Sequence, residues 1–178
     1  MKGIIMEITK NAVYIIKDSF FNDFPDPYLK GNKDGNRPHY YCYKDDKSGL
    51  FWVIPMSLQV EKVRKIMEKK AAAKQPCDSL HILKIANKES AFIISDIFPI
   101  TEEYIDRDYT INNIPLALKN DNDIRIIDKK AKKVLALLRK GHKFVSTQPD
   151  IFTIEQQLSA NLSSPQVAAA TLTSEVKK

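Results

Sequence analysis

Cysteine is scarce in this chain of 178 residues, where only Cys42 and Cys77 occur. Two thiols make neither a disulfide framework nor a metal cluster, so both are expected to be reduced packing residues. The three histidines stand at positions 39, 81 and 142, far apart and without CxxC or HxxxH companions. The sequence therefore predicts no metal site and no cofactor.

Glycine is also scarce, with five residues in the whole chain. Neither the GxGxxG nor the GxxxxGK[ST] phosphate-binding pattern is present, so the usual nucleotide-dependent chemistries are not expected. Long apolar runs are missing too: a carboxylate at Glu7 precedes any signal-peptide core, and no stretch approaches the ~18 apolar residues of a membrane span. These absences predict a cytoplasmic protein with no membrane partner.

Positive charge, in contrast, is in excess. Lys and Arg number 28 against 22 Asp and Glu, which gives a formal net charge of +6 with neutral histidine. Hydrophobic residues form 43% of the chain, enough for one globular domain with a buried core. A basic domain of this size favours a polyanionic partner, although charge alone does not identify it.

Paired strands dominate the predicted secondary structure. Strands are predicted at 4–8, 12–16, 39–43, 50–54, 80–85 and 91–94, with an edge strand at 114–118. Helices are predicted at 18–24 and 58–73, from Asp128 onward, and from Thr153 to about Leu158. Because strands come as hairpins and helices intervene irregularly, we expect an α+β fold with a mainly antiparallel sheet.

The domain is expected to end near the last predicted helix. Residues 1–158 form this single predicted domain. Residues 159–178 consist mostly of Ser, Thr, Ala, Asn and Gln, which predicts a polar, mobile C-terminal tail.

The first candidate site is the polar loop that precedes the predicted strand at 39–43. Lys33, Arg37 and His39 place an ammonium, a guanidinium and an imidazole near the mouth of that strand. A guanidinium offers forked donors to phosphate, and an imidazole exchanges protons near neutral pH, so the set suits phosphodiester cleavage. The alternative interpretation is a loop of solvated charges that leads into a hairpin, with a histidine packed beside tyrosine.

Ser57 is the second candidate, since it stands between an aromatic strand and a basic helix. As a structural residue it would be the helix N-cap. As a functional residue it would present a hydroxyl where backbone donors and the helix dipole favour an anion such as phosphate. The two roles are compatible, but no GxSxG context supports a serine-hydrolase nucleophile.

Two predicted helices carry basic faces, which are most often simply solvated. Together with expected exposed aromatics such as Tyr28 and Tyr40, they make single-stranded RNA a candidate partner. Alternatives are a noncatalytic RNA-binding regulatory module and a DNA-binding regulator, although no recognition helix is identifiable. The candidate RNA-binding residues are Lys30, Asn32, Tyr40, Lys62, Lys65, Lys69, Lys129, Lys130 and Lys133.

Several short motifs occur in an order that resembles the toxins of type III toxin-antitoxin systems. The similarity is to the CptN and TenpN branch, and more distantly to ToxN and AbiQ, and it spans residues 4–158. The motifs are Lys17-Asp18-Ser19-Phe20-Phe21, Asn32-Lys33, Arg37-Pro38-His39-Tyr40, Trp52-Val53-Ile54-Pro55-Met56-Ser57, Cys77-Asp78-Ser79 and Phe98-Pro99-Ile100-Thr101.

This resemblance implies a sequence-selective, metal-independent endoribonuclease. Its fold would be a compact, strongly twisted, mainly antiparallel sheet or barrel with surrounding helices, similar to the MazF and Kid toxins. Its partners would be cellular RNA substrates and a small repeat RNA antitoxin, folded as a pseudoknot, with no protein antitoxin. The toxin would cut that RNA from its precursor and then be inhibited by it in a closed RNA-protein assembly.

Carried over by position, the family's hydroxyl falls on Ser57 and its basic loop on Lys33, Arg37 and His39. The implied reaction is a transesterification that leaves a 2′,3′-cyclic phosphate and a 5′-hydroxyl. We expect His39 to act as general base or acid, Arg37 and Lys33 to stabilise phosphate charge, and Ser57 to orient the scissile group. Ser95-Asp96 stands where this branch would have Gln-Asn, so the resemblance does not carry an RNA contact over to this position.

Overall fold

A computed structural model describes residues 6–164, apart from the side chain of Lys33. The chain is α+β, as the sequence predicts. The described helices are α1 (Asp18–Asp23), α2 (Val60–Ala72), α3 (Asp121–Arg139) and α4 (Ile151–Leu162). The described strands are β1 (Val13–Ile16), β2 (His39–Lys44), β3 (Phe51–Ser57), β4 (Leu80–Ile85), β5 (Lys88–Ile93), β6 (Phe98–Ile100), β7 (Ile105–Asp108), β8 (Thr110–Ile111) and β9 (Ile114–Pro115).

Seven of these strands form one antiparallel sheet. Their order is β4-β5-β3-β2-β1-β7, and β6 pairs with β3 beside this path. The strands β4 and β7 lie at the two ends of the path, so the sheet in the described part of the chain is open and does not close into a barrel. The strands β8 and β9 make a separate hairpin.

The strand β3 changes its neighbour along one side. Its first half pairs with β6 in the register Val53↔Phe98, and its second half pairs with β5 in the register Met56↔Phe92. Pro55, which has no N–H to donate, stands between the two halves. The connection from β5 to β6 is therefore anchored on both sides of Pro55, close to the C-terminal end of β3.

Hydrophobic side chains cover both faces of the central hairpin. Tyr41, Phe51 and Trp52 are buried and Tyr43 is half-buried, so these aromatics of the hairpin belong to the core. The helix α3 contributes an apolar stripe to the same core, whereas α2 packs on β4 and β5. The buried residues of the α3 stripe are Ile127, Ala131, Val134, Leu135 and Leu138.

The predicted strand at 4–8 is not formed over its described residues 6–8. The reason is that β1 already has a neighbour on each edge, β2 on one and β7 on the other. The backbone N–H of Thr9 instead donates to the hydroxyl of Tyr14 at 2.7 Å. The remaining part of that prediction, residues 4–5, lies outside the described residues.

Helix α3 begins earlier than predicted. Its N-cap is Asn120, whose side-chain oxygen accepts hydrogen bonds from the N–H groups of Asn122 and Asp123. Asp128, where the helix is predicted to begin, lies within it and forms an ion pair with Lys10 at 3.4 Å. The predicted helix is therefore confirmed, and its predicted start is wrong.

Helix α4 likewise starts and ends outside its predicted bounds. Asp150 is the N-cap and accepts a hydrogen bond from the N–H of Thr153, the residue predicted to start the helix. The helix runs to Leu162, beyond the predicted end near Leu158. Residues 165–178 of the predicted tail lie outside the described residues. No helix in the described part of the chain has the length and apolar character needed to cross a membrane.

Candidate active-site groove

An open groove of about 800 Å³ lies where β3 ends and α2 begins. Its walls come from separate segments of the chain, including the loop before β2, the β5–β6 connection and the loop after α3. The charged and hydroxyl-bearing residues on its walls are Tyr28, Lys30, Arg37, Ser57, Lys62, Lys70, Ser79, Ser95, Asp96 and Thr147.

The hairpin register brings Arg37 and Ser57 together. His39 pairs with Pro55, and the N–H of Met56 donates to the carbonyl of Pro38 at 2.9 Å. Continuing this antiparallel register places Arg37 opposite Ser57, just beyond the last paired residues. This register therefore brings two of the predicted site residues to neighbouring positions, and both line the groove, although neither belongs to a motif with the other.

The hydroxyl of Ser57 is engaged on one side only. Its Oγ accepts a hydrogen bond from the N–H of Gln59 at 3.1 Å. The predicted N-cap role is wrong, because Gln59 is the N-cap and α2 starts at Val60. Accepting this bond leaves the hydroxyl proton free to be donated to a ligand in the groove.

Arg37 is half-buried beside a carboxylate. Burial lowers the pKa of its guanidinium, and the negative charge of Asp96 opposes that shift. An arginine remains protonated under any ordinary condition, so the groove holds a fixed, partly desolvated cation here. Such a cation interacts with an anion more strongly than a fully solvated one does.

Asp96 supplies a carboxylate to the same wall. Its side chain is 14% exposed, and its Oδ2 lies 3.7 Å from the Nζ of Lys30. Burial raises the pKa of Asp96, while the cations Lys30 and Arg37 lower it. Sequence reasoning noted this position only as a departure from the family pattern, because no local motif links Asp96 to the loop before β2.

His39 does not line the groove. Its ring is fully buried and packs edge-on against Phe98, with 5.5 Å between the ring centroids, and against Phe21. Both ring nitrogens lack a hydrogen-bond partner in the described structure. Burial, with the nearby charge of Arg37, lowers the pKa of His39 to about 3. The predicted role as general acid or base is therefore contradicted: the imidazole is enclosed and neutral near pH 7.

Two further predicted RNA contacts are structural. Asn32 is buried, and its amide donates to the carbonyl of Ile16 and to the carboxylate of Asp18. Tyr40 is fully buried, and its hydroxyl donates to the Asn11 side chain at 2.9 Å. Both predictions are wrong, because these polar groups fasten the loop and β2 to the rest of the core. Tyr28, in contrast, is 45% exposed on the groove wall.

The backbone of Lys33 lies in a short 3-10 turn, Lys33–Gly35. The residues after it, Asp34 and Gly35, both have positive φ, which makes this a tight turn. Arg107 on β7 donates to the carbonyl of Gly35 at 3.0 Å and to the side chain of Asn36. The loop that carries Lys33 toward Arg37 is therefore tied to the sheet, and the role of Lys33 stays a prediction.

The lysines of α2 stand at or beside the groove. Lys62 lines it from the first helical turn, and Lys65 and Lys69 are exposed on the same helix. Arg64 is instead occupied by carboxylates, with 2.7 Å to Glu89. The cationic surface of α2 thus extends away from the groove along the helix.

The lysines predicted on α3 lie away from the groove walls. Lys129 is exposed, whereas Lys133 forms an ion pair with Asp78. The ammonium of Lys130 is half-buried and donates to the carbonyls of Cys77 and Leu80 at 3.1 and 2.9 Å. These hydrogen bonds fasten α3 to the start of β4, and the RNA contact of Lys130 stays a prediction.

An apolar surface completes the groove, and sequence reasoning missed it. Leu58, Ile66 and Val145 are exposed large hydrophobic residues on its walls. The loop after α3 is held in place by Gln148, whose amide donates to the carbonyl of Ser95 at 2.7 Å. No local pattern joins these segments, so only the folded chain reveals the surface. Among the described residues, no group of three or more His, Cys, Asp or Glu side chains is arranged to hold a metal ion.

Comparison with known proteins gives a shared fold. No family model matches the sequence, and no curated protein matches it. One solved structure with a similar fold is AbiQ, a lactococcal anti-phage endoribonuclease belonging to the type III toxin-antitoxin system. The similarity has a TM-score of 0.58 at 13% sequence identity, and it covers 88% of this chain and 100% of the AbiQ chain.

Proposed function

We propose that this chain is a metal-independent endoribonuclease and the toxin of a type III toxin-antitoxin system. The observation that carries the proposal is the juxtaposition of Arg37 and Ser57 at the mouth of an open, largely cationic groove. The shared fold with AbiQ and the ordered sequence motifs support the same function.

The groove offers several donors for a single phosphodiester. The guanidinium of Arg37 can bind two phosphate oxygens at once, and the hydroxyl of Ser57 can donate a further hydrogen bond. Lys62 adds a positive charge from the first turn of α2. Lys33, which precedes Arg37 in the same loop, is proposed to approach the phosphate as well. Donors fixed around a phosphate stabilise the charge that develops on it during cleavage.

The proposed reaction is an internal transesterification. The ribose 2′-hydroxyl loses its proton, its oxygen forms a bond to phosphorus, and the bond from phosphorus to the 5′-oxygen breaks. The 5′-oxygen takes a proton from solvent, so the products are a 2′,3′-cyclic phosphate and a 5′-hydroxyl. Arg37 would stabilise the non-bridging oxygens, and Ser57 would orient the scissile group.

Single-stranded RNA suits this groove better than a duplex does. Tyr28 and the exposed apolar residues Leu58, Ile66 and Val145 offer surfaces on which unpaired bases can stack or pack. The chain on either side of the scissile phosphate could then follow the exposed lysines of α2, which are Lys65 and Lys69.

The proposed partner is a small repeat RNA antitoxin. On the CptN and TenpN pattern, the toxin would cut this RNA from its precursor and be inhibited by the folded pseudoknot in a closed assembly. AbiQ belongs to a type III system, which supports an RNA partner of this kind. Cellular RNA would be the substrate of the uninhibited toxin, and no protein antitoxin is expected.

A noncatalytic RNA-binding module is the second candidate. The observation that favours it is the burial of His39, the residue predicted to transfer protons. A binding module would use the same cations and apolar surface and would leave RNA intact.

Incubation of the purified chain with total RNA in EDTA separates these two functions. We expect discrete cuts that end in cyclic phosphate, and a loss of roughly 100-fold or more in rate for Arg37→Ala and Ser57→Ala. Matched controls are Arg125→Ala and Ser19→Ala, which change exposed residues of α3 and α1 and should cleave as the wild type does. Bound but intact RNA would establish the binding module instead.

A further inference from the structure

We infer that Asp96 is the proton acceptor of this cleavage, an inference that rests on the proposed function. The reaction requires a group that removes the proton of the 2′-hydroxyl. His39 cannot meet this requirement, because its ring is enclosed behind the groove wall by Phe21 and Phe98. The site residues predicted from sequence therefore leave the role of base unfilled.

The composition of the groove wall points to Asp96. The cations that line the groove are Lys30 and Arg37 from the loop before β2 and Lys62 and Lys70 from α2. Among the described residues that line the groove, Asp96 is the one carboxyl group, and no imidazole occurs there. This carboxylate is therefore the one group of the described wall that can accept a proton near neutral pH.

The fold holds this carboxylate in the groove wall, where its side chain is 14% exposed. Ile94 and Ser95 are buried, and the carbonyl of Ser95 accepts the hydrogen bond from Gln148. The contacts of the Asp96 oxygens themselves are long, at 3.4 Å to the Ser95 hydroxyl and 3.7 Å to the Lys30 ammonium. Bonds of this length are weak, so a substrate hydroxyl can displace them.

The electrostatic environment matches the role. Burial raises the pKa of Asp96, which makes the carboxylate a stronger base than a free aspartate. Lys30 and Arg37 oppose that rise and favour the ionised form that a base requires. Asp96 takes the proton of the 2′-hydroxyl as the 2′-oxygen bonds to phosphorus, the 5′-oxygen leaves with a solvent proton, and Asp96 returns its proton to solvent.

Single-turnover cleavage of one RNA by Asp96→Asn, measured across pH, tests this assignment. We expect the rate to fall by about 100-fold or more. Because burial raises the pKa of Asp96, the wild-type rate should rise as the carboxyl group ionises above the usual range of a free aspartate, and this rise should be lost in the variant. Asp96→Glu should recover part of the rate and retain the rise. The matched control is Asp46→Asn, an exposed carboxyl in the β2–β3 turn, which should behave as wild type.

Two outcomes would overturn the inference alone while the wild type still cleaves. In one, Asp96→Asn cleaves within about threefold of the wild-type rate. In the other, Asp96→Asn cleaves slowly but its rate rises with pH as the wild-type rate does, and Lys30→Ala shows the same slow rate and the same rise. That result would mean that Asp96 positions the cations and does not accept the proton. Absence of cleavage by the wild-type chain would instead overturn the proposed function together with this inference.

Discussion

The imidazole of His39 occupies an enclosed aromatic site at the start of β2. Phe21 and Phe98 surround it, and neither ring nitrogen has a hydrogen-bond partner in the described structure. A neutral ring is tolerated in such a site, whereas a protonated ring would be desolvated beside Arg37. His39 is therefore a packing residue of the hairpin, and it makes the stability of the fold depend on pH.

We predict that His39→Leu weakens the acid sensitivity of folding. The pKa of His39 is about 3 in the folded chain, against about 6.5 for a free histidine, so the unfolded state binds more protons between these values. Stability therefore falls as pH drops through this window, and the variant should reduce the slope by up to about 1.4 kcal/mol per pH unit. Urea unfolding at several pH values measures this slope for the wild type and the variant.

Two controls accompany this measurement. His81, whose pKa is lowered to about 4 by burial and the nearby Lys130, should keep part of the slope in the variant. RNA cleavage at neutral pH should stay within about threefold of the wild-type rate, because a packing residue does not transfer protons. A slope equal to that of the wild type would contradict the burial of a neutral imidazole at His39. A loss of cleavage in a folded variant would show that His39 takes part in the reaction.

At the scale of elements, caps determine where the helices begin. The apolar stripe of α3 is visible in the sequence, but the start of the helix depends on which polar residue reaches back to the first N–H groups. The sequence predicts a start at Asp128, whereas in the folded chain Asn120 is the N-cap. The existence of α3 could therefore be predicted from the sequence, while its first residue could not.

We predict that Asn120→Ala lowers the free energy of unfolding by about 1 kcal/mol, because two N–H groups of α3 lose their acceptor. Urea unfolding at neutral pH measures the change. Asn122→Ala is the matched control, since its side chain is exposed in the same first turn and does not form the cap. Equal stability of the two variants would show that the cap contributes nothing.

For the strands, too, the local sequence predicts the pairing, whereas burial depends on distant segments of the chain. The hairpins β2–β3 and β4–β5 were predicted, because alternating aromatic and β-branched residues flank turn residues. The burial of Tyr40 and His39 was not predicted, because it depends on the elements that cover both faces of the sheet. A strand pattern indicates which residues alternate, and only the packed layers decide whether either face meets solvent.

At the scale of the whole molecule, the net charge of +6 conceals an uneven distribution. On α3, Lys133 forms an ion pair with Asp78, and Arg139 forms one with Glu155. Lys130 donates hydrogen bonds to backbone carbonyls. Around the groove, several cations face one carboxylate. The polyanion suggested by composition thus has its best-matched surface at the end of β3.

The candidate site was predictable only in part. Arg37 and Ser57 could be named from the sequence, because they flank a recognisable hairpin whose register brings them together. Asp96 and the apolar surface could not, because they reach the groove through the β5–β6 connection and the loop after α3. These contacts join distant segments, and a single sequence carries no signal for them.

The proposed cleavage requires the 2′-hydroxyl of RNA as its nucleophile. The direct test uses an RNA with one mapped cleavage site and a copy that carries a single 2′-deoxynucleotide on the 5′ side of that bond. We expect the unmodified RNA to be cut in EDTA to a 2′,3′-cyclic phosphate and a 5′-hydroxyl. The modified copy should bind with an affinity within about threefold of the unmodified RNA and stay intact at that bond. Cleavage of the modified copy at the same bond would exclude the 2′-hydroxyl as the nucleophile.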